Sequence, residues 1–186
     1  MNIINLLELD GSNGFRIKGF ANSISAAGDM NGDGFDDMIM LGGVVFGQAS
    51  GFNAMVDIAS LDGSNGFRLE GPNSVVGNAG DVNGDGINDV VVGAYLWDKV
   101  VPKLDKNGNP ILNKKGVVKT KKLKDVGRVY VYSGRDATEL FSLPSEQITG
   151  GNKGDWFGYS VAGADIDNDG FSDIIVGAPR WDVPKS

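Results

Sequence analysis

The chain repeats an acidic nine-residue segment three times, and this repeat limits the possible folds more than any other feature. The copies are Asp29-Met-Asn-Gly-Asp-Gly-Phe-Asp-Asp37, Asp81-Val-Asn-Gly-Asp-Gly-Ile-Asn-Asp89 and Asp165-Ile-Asp-Asn-Asp-Gly-Phe-Ser-Asp173. In every copy, oxygen-bearing side chains occupy positions 1, 3, 5 and 9, and glycine occupies position 6. Such self-similarity indicates a fold assembled from repeated structural units.

A second repeated segment sets the length of the unit. Leu9-Asp-Gly-Ser-Asn-Gly-Phe-Arg16 recurs unchanged as Leu61-Asp-Gly-Ser-Asn-Gly-Phe-Arg68, an offset of 52 residues that the first two acidic loops share. The third loop starts 84 residues after the second, because a lysine-rich insertion of about 32 residues lies between about 96 and 128. A period of about 50 residues is typical of propellers, solenoids and other arrays.

A short apolar run follows each acidic loop: Met38–Leu41, Val90–Val92 and Ile174–Val176. Runs this short, rich in β-branched residues, favour strands that are covered on both faces. Further strands are predicted at residues 23–27, 44–46, 66–70, 74–79, 128–132, 138–141 and 159–164. Each unit is then a four-stranded antiparallel meander whose first two strands are joined by the acidic loop. The predicted fold is all-β: a partial β-propeller of four-stranded blades in an incomplete ring.

The repeat frame divides the chain into four parts. Residues 1–19 match the end of a preceding blade, 20–71 form one blade, 72–150 form a second blade with the insertion, and 151–186 form the first half of a third. We therefore expect the chain to begin and end within repeats of a longer propeller. No signal peptide is visible at its start.

Composition excludes several classes of chemistry. The chain of 186 residues contains no cysteine and no histidine, so disulfides, an imidazole base and the usual zinc sites are excluded or improbable. Its 29 glycines suit a protein with many turns. No stretch approaches the roughly 18 apolar residues of a membrane-spanning helix.

The acidic loops have the ligand pattern of a calcium site. Calcium binds about 6–8 oxygen atoms from carboxylates, amides and backbone carbonyls. Side chains at positions 1, 3, 5 and 9 and the carbonyl at position 7 supply these, and glycine at position 6 permits the loop to reverse. The predicted ligands, for up to three Ca²⁺ ions, are Asp29, Asn31, Asp33, Phe35, Asp37, Asp81, Asn83, Asp85, Ile87, Asp89, Asp165, Asp167, Asp169, Phe171 and Asp173.

Three alternatives to calcium loops fit the sequence less well. An EF-hand needs glutamate at position 12, where this chain has Met40, Val92 and Val176. A bare hairpin turn explains Asn-Gly but not aspartate at positions 1, 5 and 9 in all three copies. Magnesium demands a stricter octahedral geometry and retains more water molecules.

The motifs that flank the third loop resemble those of a known family. Phe157-Gly158 precedes this loop and Gly177-Ala178-Pro179 follows it, as in the FG-GAP repeat of integrin α subunits and of large secreted bacterial proteins. The Leu-Asp-Gly-Ser-Asn-Gly-Phe-Arg segment resembles the bacterial versions. The resemblance implies a calcium-stabilised, non-catalytic propeller. The second unit departs from the family pattern with Gly93-Ala94-Tyr95.

The insertion carries a charge opposite to that of the rest of the chain. Residues 99–124 contain nine lysines and one aspartate, a net charge of +8, whereas the whole chain has −7. The remainder therefore carries −15. The preferred interpretation of this basic projection is a solvated hairpin, or one that packs on a neighbouring domain. The functional alternative is a contact with an acidic polysaccharide, a phosphate-bearing surface or an acidic protein. Nucleic acid is not expected as a partner, because the segment lacks aromatic side chains for base stacking.

These features predict a calcium-binding module for adhesion or ligand binding, in an extracellular or cell-surface protein whose remaining blades complete the propeller. Millimolar calcium outside cells would fill even weak loops. The alternative is a non-catalytic propeller attached to a secreted enzyme, such as a phospholipase or a polysaccharide lyase. Glycoside hydrolysis by paired aspartates is disfavoured, because the aspartates are already accounted for as metal ligands. The chain itself is not expected to be an enzyme.

Overall fold

The structure, a computed structural model, describes residues 5–19, 23–69, 75–145 and 152–181. Within these ranges the regular structure consists of β-strands and two 3₁₀ turns, Leu6–Glu8 and Ile58–Ser60. The strands are β1 (Arg16–Lys18), β2 (Ile24–Gly28), β3 (Asp37–Met40), β4 (Gly43–Val45), β5 (Met55–Asp57), β6 (Gly66–Arg68), β7 (Val75–Gly80), β8 (Asp89–Ala94), β9 (Lys99–Pro102), β10 (Thr120–Leu123), β11 (Arg128–Tyr132), β12 (Glu139–Pro144), β13 (Ser160–Ala164) and β14 (Asp173–Gly177).

Two four-stranded antiparallel sheets form the centre of the fold. The first has the order β2-β3-β4-β6 and the second the order β7-β8-β11-β12. Strands β13 and β14 pair as the antiparallel start of a third sheet. In each case an acidic loop joins the first two strands. The predicted all-β fold, a partial β-propeller of four-stranded blades, is therefore confirmed.

Strand β8 explains why the blades stack. All six of its residues are buried. Because alternate side chains of a strand point to opposite faces, both faces of β8 are covered. Val90 and Val92 pack with Ile39 of the first blade, whereas Val91 packs with Phe157 at the third. A valine run covered on both faces is therefore the sequence mark of a strand between two blades.

Small residues on β7 and β13, the first strands of the second and third blades, allow close contact between these blades. Strand β13 approaches β7 so closely that a Cβ atom on Gly163 would clash with the carbonyl of Ala79. A Cβ atom on Gly77 would lie 2.8 Å from the carbonyl oxygen of Val161. Glycine and alanine are needed here because the two backbones pack directly against each other.

Strand β1 lies outside both four-stranded sheets. It pairs in parallel with β5, which belongs to the connection between β4 and β6. The predicted boundaries after residues 19, 71 and 150 fall within or beside segments that lie outside the described residues. The division of the chain at these boundaries stays a prediction.

The segment 99–124, which we call the lysine pin, projects from the connection between β8 and β11. Strands β9 and β10 form its stem. Beyond the stem, three backbone hydrogen bonds of 2.7–2.8 Å join Lys103, Ile111 and Lys119 in a closed triangle. Two short hairpins leave this junction, with turns at residues 105–109 and 113–117. The pin is therefore a cloverleaf with a stem and two leaves.

The two leaves are copies of one eight-residue unit. Asp105 accepts the N–H groups of residues 107 and 109, at 2.8 and 2.9 Å. Asn113 accepts the N–H groups of residues 115 and 117, at 2.8 and 3.1 Å. Each turn thus uses one acceptor side chain to hold two backbone donors.

Candidate metal centres

The aspartate at position 1 organises each acidic loop by accepting backbone N–H groups. Asp29 accepts those of positions 4, 5 and 6 at 2.8, 3.0 and 2.8 Å. Asp81 accepts the same three at 2.7, 3.1 and 2.8 Å. Asp165 accepts those of positions 5 and 6 at 3.1 and 3.0 Å. The loop is therefore curled around this carboxylate by charge-assisted hydrogen bonds.

Positions 3 and 5 have the same hydrogen bonds in all three loops. The side-chain oxygen at position 3 accepts the N–H of position 5 at 3.0, 2.9 and 3.2 Å. The aspartate at position 5 accepts the N–H of position 7 at 2.9, 3.0 and 2.8 Å. These hydrogen bonds orient the side chains at positions 3 and 5. The role of the position 7 carbonyls stays a prediction.

The aspartate at position 9 connects the loop to its blade. Its Oδ2 atom accepts the N–H of position 2 at 2.7, 3.0 and 3.0 Å. In the first blade, Oδ1 of Asp37 also accepts the N–H of Gly47 at 2.8 Å. In the second, Oδ1 of Asp89 accepts the N–H of Gly134 at 3.1 Å. Both carboxylates are buried, whereas Asp173 is exposed.

Three carboxylates converge in the third loop. One oxygen atom from each of Asp165, Asp167 and Asp173 lies within 4.8 Å of the others. Within the described residues, no other group of three acidic side chains has oxygen atoms this close together. The other two loops lack the carboxylate at position 3, because asparagine occupies that position. A compact set of hard oxygen donors fits a divalent cation such as calcium.

Positive φ angles explain which residue types occupy the loop positions between the predicted ligands. Glycine at position 6 has φ of 89°, 83° and 94° in the three loops. Position 4 also needs this conformation, with φ of 76° at Gly32, 77° at Gly84 and 61° at Asn168. Glycine and asparagine tolerate it best. From the sequence, this conformation was predicted at position 6 only, although glycine in two loops and asparagine in the third carry the same signal at position 4.

Burial changes the electrostatics of the position 9 carboxylates. Desolvation raises the pKa of Asp37, and the hydrogen bonds from Gly47 and Met30 oppose the change. Desolvation likewise raises the pKa of Asp89, which also faces the negative charges of Asp85 and Asp81. A bound cation would favour the ionised form of both groups, since an opposite charge stabilises a carboxylate.

An arginine from another part of the second blade contacts the second loop. The Nε atom of Arg135 donates to Oδ2 of Asp85 at 3.2 Å. Desolvation is the largest influence on the pKa of Asp85 and raises it, but the Ile87 N–H and Arg135 outweigh desolvation and lower the pKa. This contact was not predicted from the sequence, because the two residues are 50 positions apart.

The two flanking motifs meet where the second and third blades join. Phe157 is buried in the core between these blades, and Gly158 donates its N–H to the carbonyl of Gly177 at 3.0 Å. Trp156 stacks on Tyr159 with ring centroids 5.6 Å apart, and the guanidinium of Arg180 lies 3.6 Å from the Trp156 ring centroid. Trp156 thus takes part in packing at this junction.

Open four-stranded blades, each with an acidic loop between its first two strands, define a repeat protein of the partial β-propeller class. Comparisons with known proteins agree. Residues 157–186 match the family model of the FG-GAP repeat. The chain is 30% identical to integrin alpha-5 of Xenopus laevis over 158 residues, which are 83% of this chain and 13% of that protein. Over 100 residues it is 35% identical to integrin alpha-IIb of Homo sapiens, covering 53% of this chain and 8% of that protein.

The chain therefore carries an FG-GAP repeat and is a homologue of integrin α subunits. It spans 13% or less of the length of these relatives. No helix in the described part of the chain is long and apolar enough to cross a membrane.

Proposed function

We propose that this chain is a calcium-stabilised propeller module that binds ligands in an extracellular or cell-surface protein. The observation that carries the proposal is the convergence of the Asp165, Asp167 and Asp173 carboxylates. The same hydrogen-bond pattern recurs in the other two loops, so each would hold one ion through positions 1, 3, 5, 7 and 9. Calcium would neutralise carboxylates that otherwise repel one another.

Calcium at these loops would stabilise each blade by joining its first two strands. Position 1 follows the first strand and position 9 begins the second, as Asp81 and Asp89 do on either side of the second loop. An ion shared by both ends of the loop binds the folded form only. The stabilisation then grows with calcium concentration, reaching about 2.7 kcal/mol at 100 times the dissociation constant.

Calorimetric titration of the metal-free protein tests this proposal. We expect up to three bound Ca²⁺ ions and an increase in melting temperature. Asp29→Asn should remove one ion, because Asp29 is a ligand at position 1. Asp36→Asn is the matched control, since Asp36 lies in the same loop at position 8 and is not a predicted ligand. An absence of binding heat together with an unchanged melting temperature would refute the calcium function.

Further blades of the same protein are the expected partners of the exposed face of β14. Ile175 is 46% exposed, whereas the equivalent residues Ile39 and Val91 are fully buried by the following blade. A large aliphatic side chain at this register favours a face that another blade covers. The names of the relatives, which are integrin chains, support an adhesion role on the cell surface.

The lysine pin is the proposed contact for an acidic glycan. Lys122 pairs with Asp98 at 2.8 Å. The lysines of the junction and the leaves form no ion pair with any acid in the described residues: Lys103, Lys106, Lys114, Lys115 and Lys119. All five are exposed. They are spread over the junction and both leaves, which a flexible polyanion can follow. A bound polyanion would neutralise the mutual repulsion of these lysines, and this favours its binding.

Heparin, used as a polyanionic probe, tests the role of the lysine pin. We expect retention on heparin that weakens as salt increases. Replacing Lys114 and Lys115 by glutamate should weaken retention strongly. A matched double change of Arg16 and Arg68 to glutamate, outside the pin, alters the net charge equally and should weaken retention less. Equal losses of heparin retention in the two variants would show that only net charge matters. Binding of the protein to anionic vesicles instead of heparin would favour a membrane surface as the partner.

A further inference from the structure

The second acidic loop differs from the first in carrying a protein cation at its rim. Arg135 donates from Nε to Oδ2 of Asp85 at 3.2 Å, and from Nη2 to the Asp85 carbonyl at 3.4 Å. Asp85 is position 5 of the loop, one of the predicted calcium ligands. Arg135 directly follows Gly134, whose N–H binds Asp89 at position 9. Two consecutive residues of the β11–β12 turn thus contact two ligand positions.

The first blade provides an internal comparison. Gly47 donates its N–H to Asp37 just as Gly134 does to Asp89. The residue after Gly47 is Gln48, and its side chain donates to the carbonyl of Gly51 at 2.6 Å. Gln48 is therefore engaged outside the acidic loop, and it carries no charge. In both loops the aspartate at position 9 accepts a backbone N–H from a glycine. The loops differ at position 5, where Arg135 contacts the aspartate of the second loop.

A guanidinium on a ligand carboxylate opposes the binding of a cation to the same group. The ion must either share Asp85 with Arg135 or displace it, and the two positive charges repel each other in both cases. We propose that Arg135 is an internal competitor for the cation at the second loop, so that this loop fills at a higher calcium concentration than it would without Arg135. This inference rests on the proposed calcium function.

The size of the effect follows from the exposure of the pair. The Arg135 side chain is 57% exposed and that of Asp85 is 27% exposed. Pairs at the surface contribute little, so the loss of this competitor should tighten calcium binding at the second loop by about fivefold. A purely structural role for Arg135 predicts the opposite direction, because loosening the loop would weaken binding.

Calcium titration followed by amide NMR separates the three loops. The position 6 glycines Gly34, Gly86 and Gly170 provide one backbone amide in each loop. In Arg135→Gln, the Gly86 midpoint should move to about fivefold lower calcium, while the Gly34 and Gly170 midpoints stay unchanged. Gln is the appropriate replacement because it reproduces the residue of the first blade. Arg68→Gln is the control, since it removes the same charge from strand β6.

The outcomes distinguish this inference from the calcium function itself. If none of the three amides responds to calcium in the unmodified protein, the proposed function fails. If all three respond but Gly86 has the same or a higher midpoint in Arg135→Gln, Arg135 is not a competitor. Equal shifts in Arg135→Gln and Arg68→Gln would also overturn the inference, because net charge alone would then account for them. A Gly86 amide that responds only after the substitution would support it.

Discussion

The carboxylate of Asp89 accepts a hydrogen bond of 3.1 Å from the N–H of Gly134, which lies 45 residues farther along the chain. Asp89 begins strand β8, and Gly134 follows strand β11. Its other oxygen accepts the N–H of Val82 within the acidic loop. One buried side chain therefore joins the candidate metal loop to the turn between the third and fourth strands of its blade. The structure of the loop and the stability of the blade are consequently linked.

Asp89→Asn should destabilise the metal-free protein by about 2 kcal/mol. The asparagine amide has only one acceptor oxygen, so its NH₂ group would face one of the two N–H donors that the carboxylate satisfies. Chemical denaturation in excess chelator measures the change. Asp173→Asn is the control, because Asp173 is exposed; it should cost much less. Similar losses in both variants would contradict the role assigned to the buried contact.

The stability of the metal-free protein should depend on the pKa of Asp89. Burial raises this pKa above the ordinary value of 3.8, so the folded state binds the proton more tightly than the unfolded state. The contribution of Asp89 to stability is therefore complete below pH 3.8 and is lost as pH rises through the raised pKa. Denaturation at several pH values should show the wild type losing stability relative to Asp89→Asn as pH increases. A difference that grows in favour of the wild type would contradict the prediction.

Gly163→Ala should weaken the contact between the second and third blades. The added methyl group would clash with the backbone of Ala79, which cannot rotate away as a side chain does. We expect a loss of about 1–3 kcal/mol in the free energy of unfolding, measured by chemical denaturation. Ala162→Ser, on the exposed face of the same strand, is the control and should change stability little. Unchanged stability in Gly163→Ala would mean that the blades pack less closely than the structure indicates.

The leaves of the lysine pin should be removable without unfolding the blade. Pro102 and Thr120 are cross-strand partners, so Asn-Gly in place of residues 103–119 would close the stem with a two-residue turn. The deletion removes five lysines and one aspartate, changing the net charge from −7 to −11. We expect a nearly unchanged melting temperature and a loss of heparin retention. A large decrease in melting temperature would instead show that the leaves support the blade.

Much of the fold could be predicted because its information is local. Each loop places donors, acceptors and turn residues within nine positions, so its hydrogen bonds involve neighbours such as Asp81 and Gly84. The valine run of Val90–Val92 likewise indicated a strand covered on both faces, and the structure agrees. The eight-residue repeat of Leu104-Asp105 and Leu112-Asn113 was also visible in the sequence, and it would have predicted the second leaf of the pin.

Sequence alone determined the repeat, the blade meander and the chemistry of the acidic loops, because spacing and residue type specify short-range geometry. Tertiary structure decided how the three loops differ. Burial raises the pKa of Asp89, Arg135 reaches Asp85, and Asp173 remains exposed. These differences arise from contacts between residues about 50 positions apart, or from which face a neighbouring blade covers. Such contacts depend on how strands pack in space, which the nine-residue pattern does not encode.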